Sequence, residues 1–241
     1  TGVQLCAGEG TIAEISGNTL IKATGSDERA SKGGDGFIPD GAAISIVNRS
    51  YPGGTPSVKI AGGTFSAAKQ NAVLAYNWSN DKASSWNATS APAVITGGTF
   101  SDPGVYQYAQ SGSAINVTLA RDYTGSVTIP VGVTSTLDLN GKTIQHSGTA
   151  VLNNGVLTIK ATNGGAIKST GNVGVSVGND SKTTIDSGTI EGVEGAVITS
   201  TSTGAAITIN DGTFKASDNA VIAGNGTKRD GNPNSITING G

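Results

Sequence analysis

The residues best suited to chemistry in this chain are aromatic, and they cluster. Both tryptophans, Trp78 and Trp86, fall in one loop region with Tyr76, and Tyr51 stands in an earlier loop beside Arg49. Aromatic rings exposed on a loop can stack on the faces of sugar rings. Tyr51, Tyr76, Trp78, Trp86 and Arg49 are therefore the candidate glycan-binding patch. The competing reading is that Trp86 folds back over its own loop or a neighbouring edge, as aromatic side chains commonly do.

The groups that could carry catalysis are dispersed. A polysaccharide lyase or glycoside hydrolase needs carboxylates converging in a groove, often with Ca2+ and a basic side chain. Asp138, Asp186 and Asp211 stand at different registers, since Asp186 directly follows Ile185 whereas Asp211 lies two after Ile209. Arg121-Asp122 is an isolated doublet, expected as a solvated ion pair. His146 is the sole histidine and has no Cys, His or acid at ligand spacing. Cys6 is the sole cysteine, which rules out a disulfide within the chain. Gly33-Gly-Asp-Gly36 matches part of a calcium nonapeptide but occurs once, so it reads as a loop. The expectation is no catalytic residue, no metal and no cofactor.

The elements that must position these residues are repeats. Gly-Gly-Thr-Phe at 62–65 and 97–100, Gly-Thr-Ile at 188–190 and Asp-Gly-Thr-Phe at 211–214 share one pattern, each with an isoleucine three residues before its last glycine. Gly165, Gly188, Gly212 and Gly241 follow one another at intervals of 23, 24 and 29 residues, whereas Gly63 to Gly98 spans 35. A unit of this size accommodates three short strands and three turns. Strand alternation then points Phe65, Phe100, Ile167, Ile190 and Phe214 inward and Thr64, Thr99, Thr189 and Thr213 outward. Thr184, Thr208 and Thr237 form a second threonine column. It does not make a flat Thr-x-Thr array with the first, so these threonines read as solvent-facing strand formers. The glycines suit a turn that excludes a Cβ.

A second alignment falls on Ala43-Ile44, Ala72-Val73, Gly174-Val175 and Ala220-Val221. Asparagine stands five after the first position each time, giving Asn48, Asn77, Asn179 and Asn225 as a structural ladder of stacked amides. The insertions 49–56, 78–92 and 226–233 follow this column. In a solenoid, extra residues at one register map to one flank, often the binding face.

This register resembles the right-handed parallel β-helix of the pectate-lyase-like superfamily, in which asparagine ladders occupy one turn. The phrase from Ile129 to Ile144, and the Gly-Gly-Thr-Phe-Ser copies, are similar to modules common in large cell-surface proteins of gut Firmicutes. The resemblance implies an all-β chain: a right-handed parallel β-helix, or β-solenoid, with three short strands per coil. Residues 1–241 would form one such domain of roughly nine coils, about 45 Å long at about 4.8 Å per coil. The stretch 101–160 is less regular, and Asp102-Pro-Gly marks an expected seam near 101–118 between two coil blocks.

Composition agrees and excludes other classes. Gly supplies 37 of 241 residues and only 13% are charged, too apolar for disorder and too rich in Gly, Ser and Thr for a helical protein. A net charge of −2 gives no footprint for nucleic acid or an anionic membrane. No apolar run is long enough to span a bilayer as a helix. The expectation is a segment of a longer extracellular or bacterial cell-surface protein, serving as a non-catalytic structural or adhesin-like module whose partner is a glycan or a host surface. The rival readings are a phage tailspike or capsid decoration, trimeric and located on the virion, and a polysaccharide-degrading enzyme.

Overall fold

The computed structural model describes residues 1–6, 8, 10–30, 36–50, 53–200, 203–225 and 232–241. Strands take 51% of the chain and helix 3%, so the class is all-β. The β-branched runs form strands of mostly four to six residues, and Gly, Asn and Asp hold the turns between them. The chain divides into two compact units, Thr1–Gln110 and Ser111–Gly241.

In the first unit the chain passes through its ladders in rotation. Val3–Cys6, Ile44–Arg49 and Val73–Ser79 pair in parallel in one sheet. Ile12–Ile15, Ser57–Ile60 and the start of Ala93–Phe100 form a second ladder. Leu20–Ala23 and Thr64–Ala67 form a third with the end of Ala93–Phe100. One hairpin interrupts the parallel order, where Lys82–Ser85 folds back antiparallel on Val73–Ser79. It turns through Asn80 and Asp81, both at positive φ, a conformation that Asn and Asp adopt more readily than bulkier residues. Phe65 and Phe100 stack inside, with ring centroids 5.2 Å apart and planes inclined by 18°. The unit closes with a 3-10 turn, Pro103–Tyr108, whose first free amide, that of Gly104, donates to the Asp102 carboxylate at 3.0 Å.

The second unit repeats one rotation more regularly. Thr134–Asp138, Thr143–His146 and Val151–Asn153 are followed by Val156–Lys160, Ala166–Ser169 and Val173–Val177. Next come Lys182–Ile185, Thr189–Gly192 and Gly195–Ser200, then Ala206–Ile209, Thr213–Ala216 and Ile222–Asn225. Each strand pairs in parallel with its counterpart one rotation later, so three parallel sheets grow side by side. The stretch after residue 110, irregular as sequence, enters these same ladders through Ala114↔Thr134 and Val127↔Val151. This arrangement is compatible with a β-helix.

The inward column is as expected over most of its length: Ile144, Ile167 and Ile190 are fully buried and in register. Phe214 continues the column but is only half-buried. Gly188 and Gly212 explain the turn before it. Both have positive φ, 117° and 136°, and a Cβ on Gly212 would lie 2.8 Å from the carbonyl oxygen of Gly188. That carbonyl accepts the amide of Thr213 at 2.9 Å, so the close approach carries the ladder through the turn.

Candidate functional site

Tyr76 and Trp78 are two residues apart on one strand and therefore share a face. That face lies opposite Ile44, Ile46 and Val73, and it is not open. Segment 36–42 closes over it, bringing Ile38 against Val47, Tyr76 and Trp78, with Cys6 and Leu74 packed at the margin. Tyr76 is 1% exposed and Trp78 4%. The Tyr76 hydroxyl donates to Asp40 Oδ2 at 3.0 Å, and Arg29 lies over its ring, 4.8 Å from the centroid. Asp40 is itself fully buried and accepts from Thr1 Oγ1 at 2.6 Å, Gln4 Nε2 at 3.0 Å and the Ala42 amide at 3.1 Å. Burial, with Asp40 beside it, pushes the Tyr76 hydroxyl far above the ordinary tyrosine range, so it stays a donor.

This corrects the exposed aromatic patch. Tyr76 and Trp78 have no ring face to offer a sugar, and Arg49 is spent inward, donating from Nη1 to the Gly36 carbonyl at 3.0 Å. Tyr51 lies outside the described residues. Among the described members of the patch, only Trp86 is partly open: it is half-buried and leans back on its loop, Nε1 donating to Ser90 O at 3.2 Å.

The asparagine column divides. Asn48 and Asn77 face each other in register, and Asn48 Nδ2 donates to Asn77 Oδ1 at 2.8 Å. In the second unit Ile198 pairs with both Ser176 and Ala223, which places Asn225 one register short of Asn179. Asn179 instead sits exposed in a turn and accepts the Thr203 amide at 3.0 Å. The ladder there runs elsewhere: Asn210 Nδ2 donates to Asp186 Oδ1 at 2.8 Å, and Asn239 Nδ2 donates to Asn210 Oδ1 at 2.9 Å. Asn163 Nδ2 donates likewise to Asn140 Oδ1, at 2.6 Å. The sequence signal for the Asp186–Asn210–Asn239 rungs was the residue after the last isoleucine of each strand, a signal that Asn140 and Asn163 lack.

The remaining chemistry-bearing groups serve the backbone. Asp138, almost buried, accepts from Thr162 Oγ1 at 2.6 Å and from the amides of Thr162 and Asn140 at 3.0 Å each. Burial works to raise its pKa, but these bonds and the Lys160 ammonium outweigh it and hold the carboxyl below the usual range. Asp211 accepts the Gly212 amide at 2.7 Å, Asp122 the Thr143 amide at 2.8 Å, and His146 Nδ1 the Gly148 amide at 3.0 Å. Burial pushes the Cys6 thiol up, the opposite of an activated nucleophile.

One cleft of about 530 Å3 opens beside Trp86 in the first unit. Trp86, Pro92 and Tyr108 give it aromatic and apolar surface, and Asn71, Gln107 and Gln110 give it amides. Tyr108 and the glutamines come from the 3-10 turn and its exit, which the sequence marked only as a seam at Asp102-Pro-Gly.

Among the described residues no group of three or more His, Cys, Asp or Glu is placed to hold a metal ion. Among the same residues no helix is long and apolar enough to cross a membrane. The sequence matches no family model, no curated protein and no solved structure.

Proposed function

We propose that the chain is a non-catalytic structural and adhesin-like module of an extracellular or bacterial cell-surface protein. Its units are blocks of right-handed parallel β-helix with three short strands per coil, roughly nine coils in all. The observation that carries this reading is the columnar use of side chains. Ile144, Ile167 and Ile190 fill one inward column, while Thr136, Thr158, Thr184, Thr208 and Thr237 fill one outward column. Acids that an enzyme would direct into a groove are bound instead to backbone amides, as at Asp138 and Asp122. Stacked coils of this kind gain a core that no single coil could bury, and each neighbour stabilises the next. Stiffness and a long lateral face then become the working properties.

Limited proteolysis combined with a polysaccharide-turnover assay tests this reading. The module should resist cleavage except in its loops and release no new ends from plant, bacterial or host glycans. Rapid digestion through the strand segments, or turnover abolished by Asp138→Asn, would overturn it.

A further inference from the structure

We infer that the cleft beside Trp86 binds an uncharged saccharide. Its volume of about 530 Å3 falls within the range of roughly 300–1,000 Å3 usual for small-ligand sites. Among the described residues that line it, none carries a charge, so the ligand it favours is neutral. The lining pairs two kinds of surface that a sugar also pairs. The C–H face of a pyranose packs against the electron-rich faces of aromatic rings, here Trp86 and Tyr108. Its hydroxyls need donors and acceptors together, and the side-chain amides of Asn71, Gln107 and Gln110 supply both.

The local structure holds these groups in place. Trp86 is fixed by its indole N–H on Ser90 O, 3.2 Å away, which restrains the ring before a ligand arrives. Gln107 Nε2 donates to Gly104 O at 2.9 Å, setting the orientation of an otherwise exposed side chain. Burial, with Asp102 nearby, pushes the Tyr108 hydroxyl up to about 12, so it remains a neutral donor at physiological pH. Restrained aromatic and amide side chains lose little conformational freedom on binding, which favours affinity from a small contact area. The inference rests on the non-catalytic reading above and adds to it the ligand class.

Saturation-transfer difference NMR on the full chain tests it, using maltotetraose, cellotetraose, chitotetraose and galactotetraose, with oligogalacturonate as the charged comparison. At least one neutral oligosaccharide should receive saturation. Trp86→Ala should weaken that ligand about tenfold or more, as loss of an aromatic anchor does, with an unchanged circular dichroism spectrum. Gln107→Ala, at an exposed side chain, should weaken it several-fold and serves if Trp86→Ala misfolds. The inference is overturned if no neutral oligosaccharide binds, if binding survives both substitutions, or if oligogalacturonate binds equally well. Cleavage of a bound oligosaccharide would contradict the non-catalytic reading, and the cleft would stand as its binding site only if Trp86→Ala or Gln107→Ala still weakened that binding.

Discussion

The Tyr76 hydroxyl donates to the fully buried Asp40 carboxylate at 3.0 Å, joining a strand of the first unit to the segment that covers its outer face. A buried carboxylate is tolerated only when its oxygens are well supplied with donors. Asp40 has them from Thr1, Gln4, Ala42 and Tyr76. The network fastens residues 36–42 over Tyr76 and Trp78, and this closes the aromatic face that an unaided strand would have shown to solvent.

Tyr76→Phe keeps the ring and removes that one donor. It should destabilise the first unit by about 1–3 kcal/mol, the usual effect of leaving a buried polar group short of a partner. Urea unfolding followed by tryptophan fluorescence reads this directly, because Trp78 packs in the same cluster. An unchanged midpoint would show that Asp40 does not depend on this bond.

The stacked pair Phe65 and Phe100 gives a second comparison. Phe100→Ala should cost about 3–5 kcal/mol through lost burial and a cavity. Thr64→Ala, on the exposed side of the same ladder, should change stability by less than about 0.5 kcal/mol. Similar thermal shifts for the two substitutions would contradict the assignment of inside and outside.

The inward column was legible because Gly, Thr and an apolar residue recur together at Phe65, Phe100, Ile190 and Phe214. The stretch 101–160 was less so, because the column that starts there changes residue type at each step, from Ile115 to Ser135 and Leu157 and on to Thr183 and Ile207. Stacking preserves position more than identity, so no repeated phrase survives. The patch at Tyr76 and Trp78 was misread for a different reason. Their sequence context reads as a loop, whereas both rings lie on the strand Val73–Ser79, and nothing local to them says that residues 36–42 return to cover that face. The cleft at Trp86 depends on Tyr108 and Gln107, delivered by a 3-10 turn that periodicity does not reveal.

The amide ladder of the second unit separates exposed from buried hydrogen bonds. Asn210→Ala removes both rungs, to Asp186 and Asn239, but the site is exposed, so the cost should be at most about 1 kcal/mol. Asn153 is fully buried, donates to Lys182 O at 2.9 Å and Thr183 Oγ1 at 2.8 Å, and accepts the Gly155 amide at 2.9 Å. Asn153→Ala strands three partners and should cost at least about 2 kcal/mol. Chemical denaturation of both variants checks the order, and a larger loss at Asn210 would contradict it.

Acid should weaken the second unit through Asp138. Its folded pKa lies below the ordinary aspartate value of 3.8, so its stabilisation is present above 3.8 and is lost as pH falls through the folded value. Asp138→Asn should flatten that part of the pH–stability curve. Glu191, lowered first by its hydrogen bond from Lys168 and then by Lys215, follows the same sign. Its partners are partly to largely exposed, so Glu191→Gln should have the smaller effect, a few tenths of a kcal/mol.

Amide hydrogen exchange, resolved by strand and read by mass spectrometry, tests the proposed solenoid most directly. In stacked coils every interior strand bonds to the coil before and the coil after it. Val156–Lys160, Ala166–Ser169 and Val173–Val177 belong to three different sheets and should therefore show similar, strong protection, as should their counterparts Lys182–Ile185, Thr189–Gly192 and Gly195–Ser200. Protection confined to one of the three sheets, with fast exchange in the other two, would contradict the stacked-coil account.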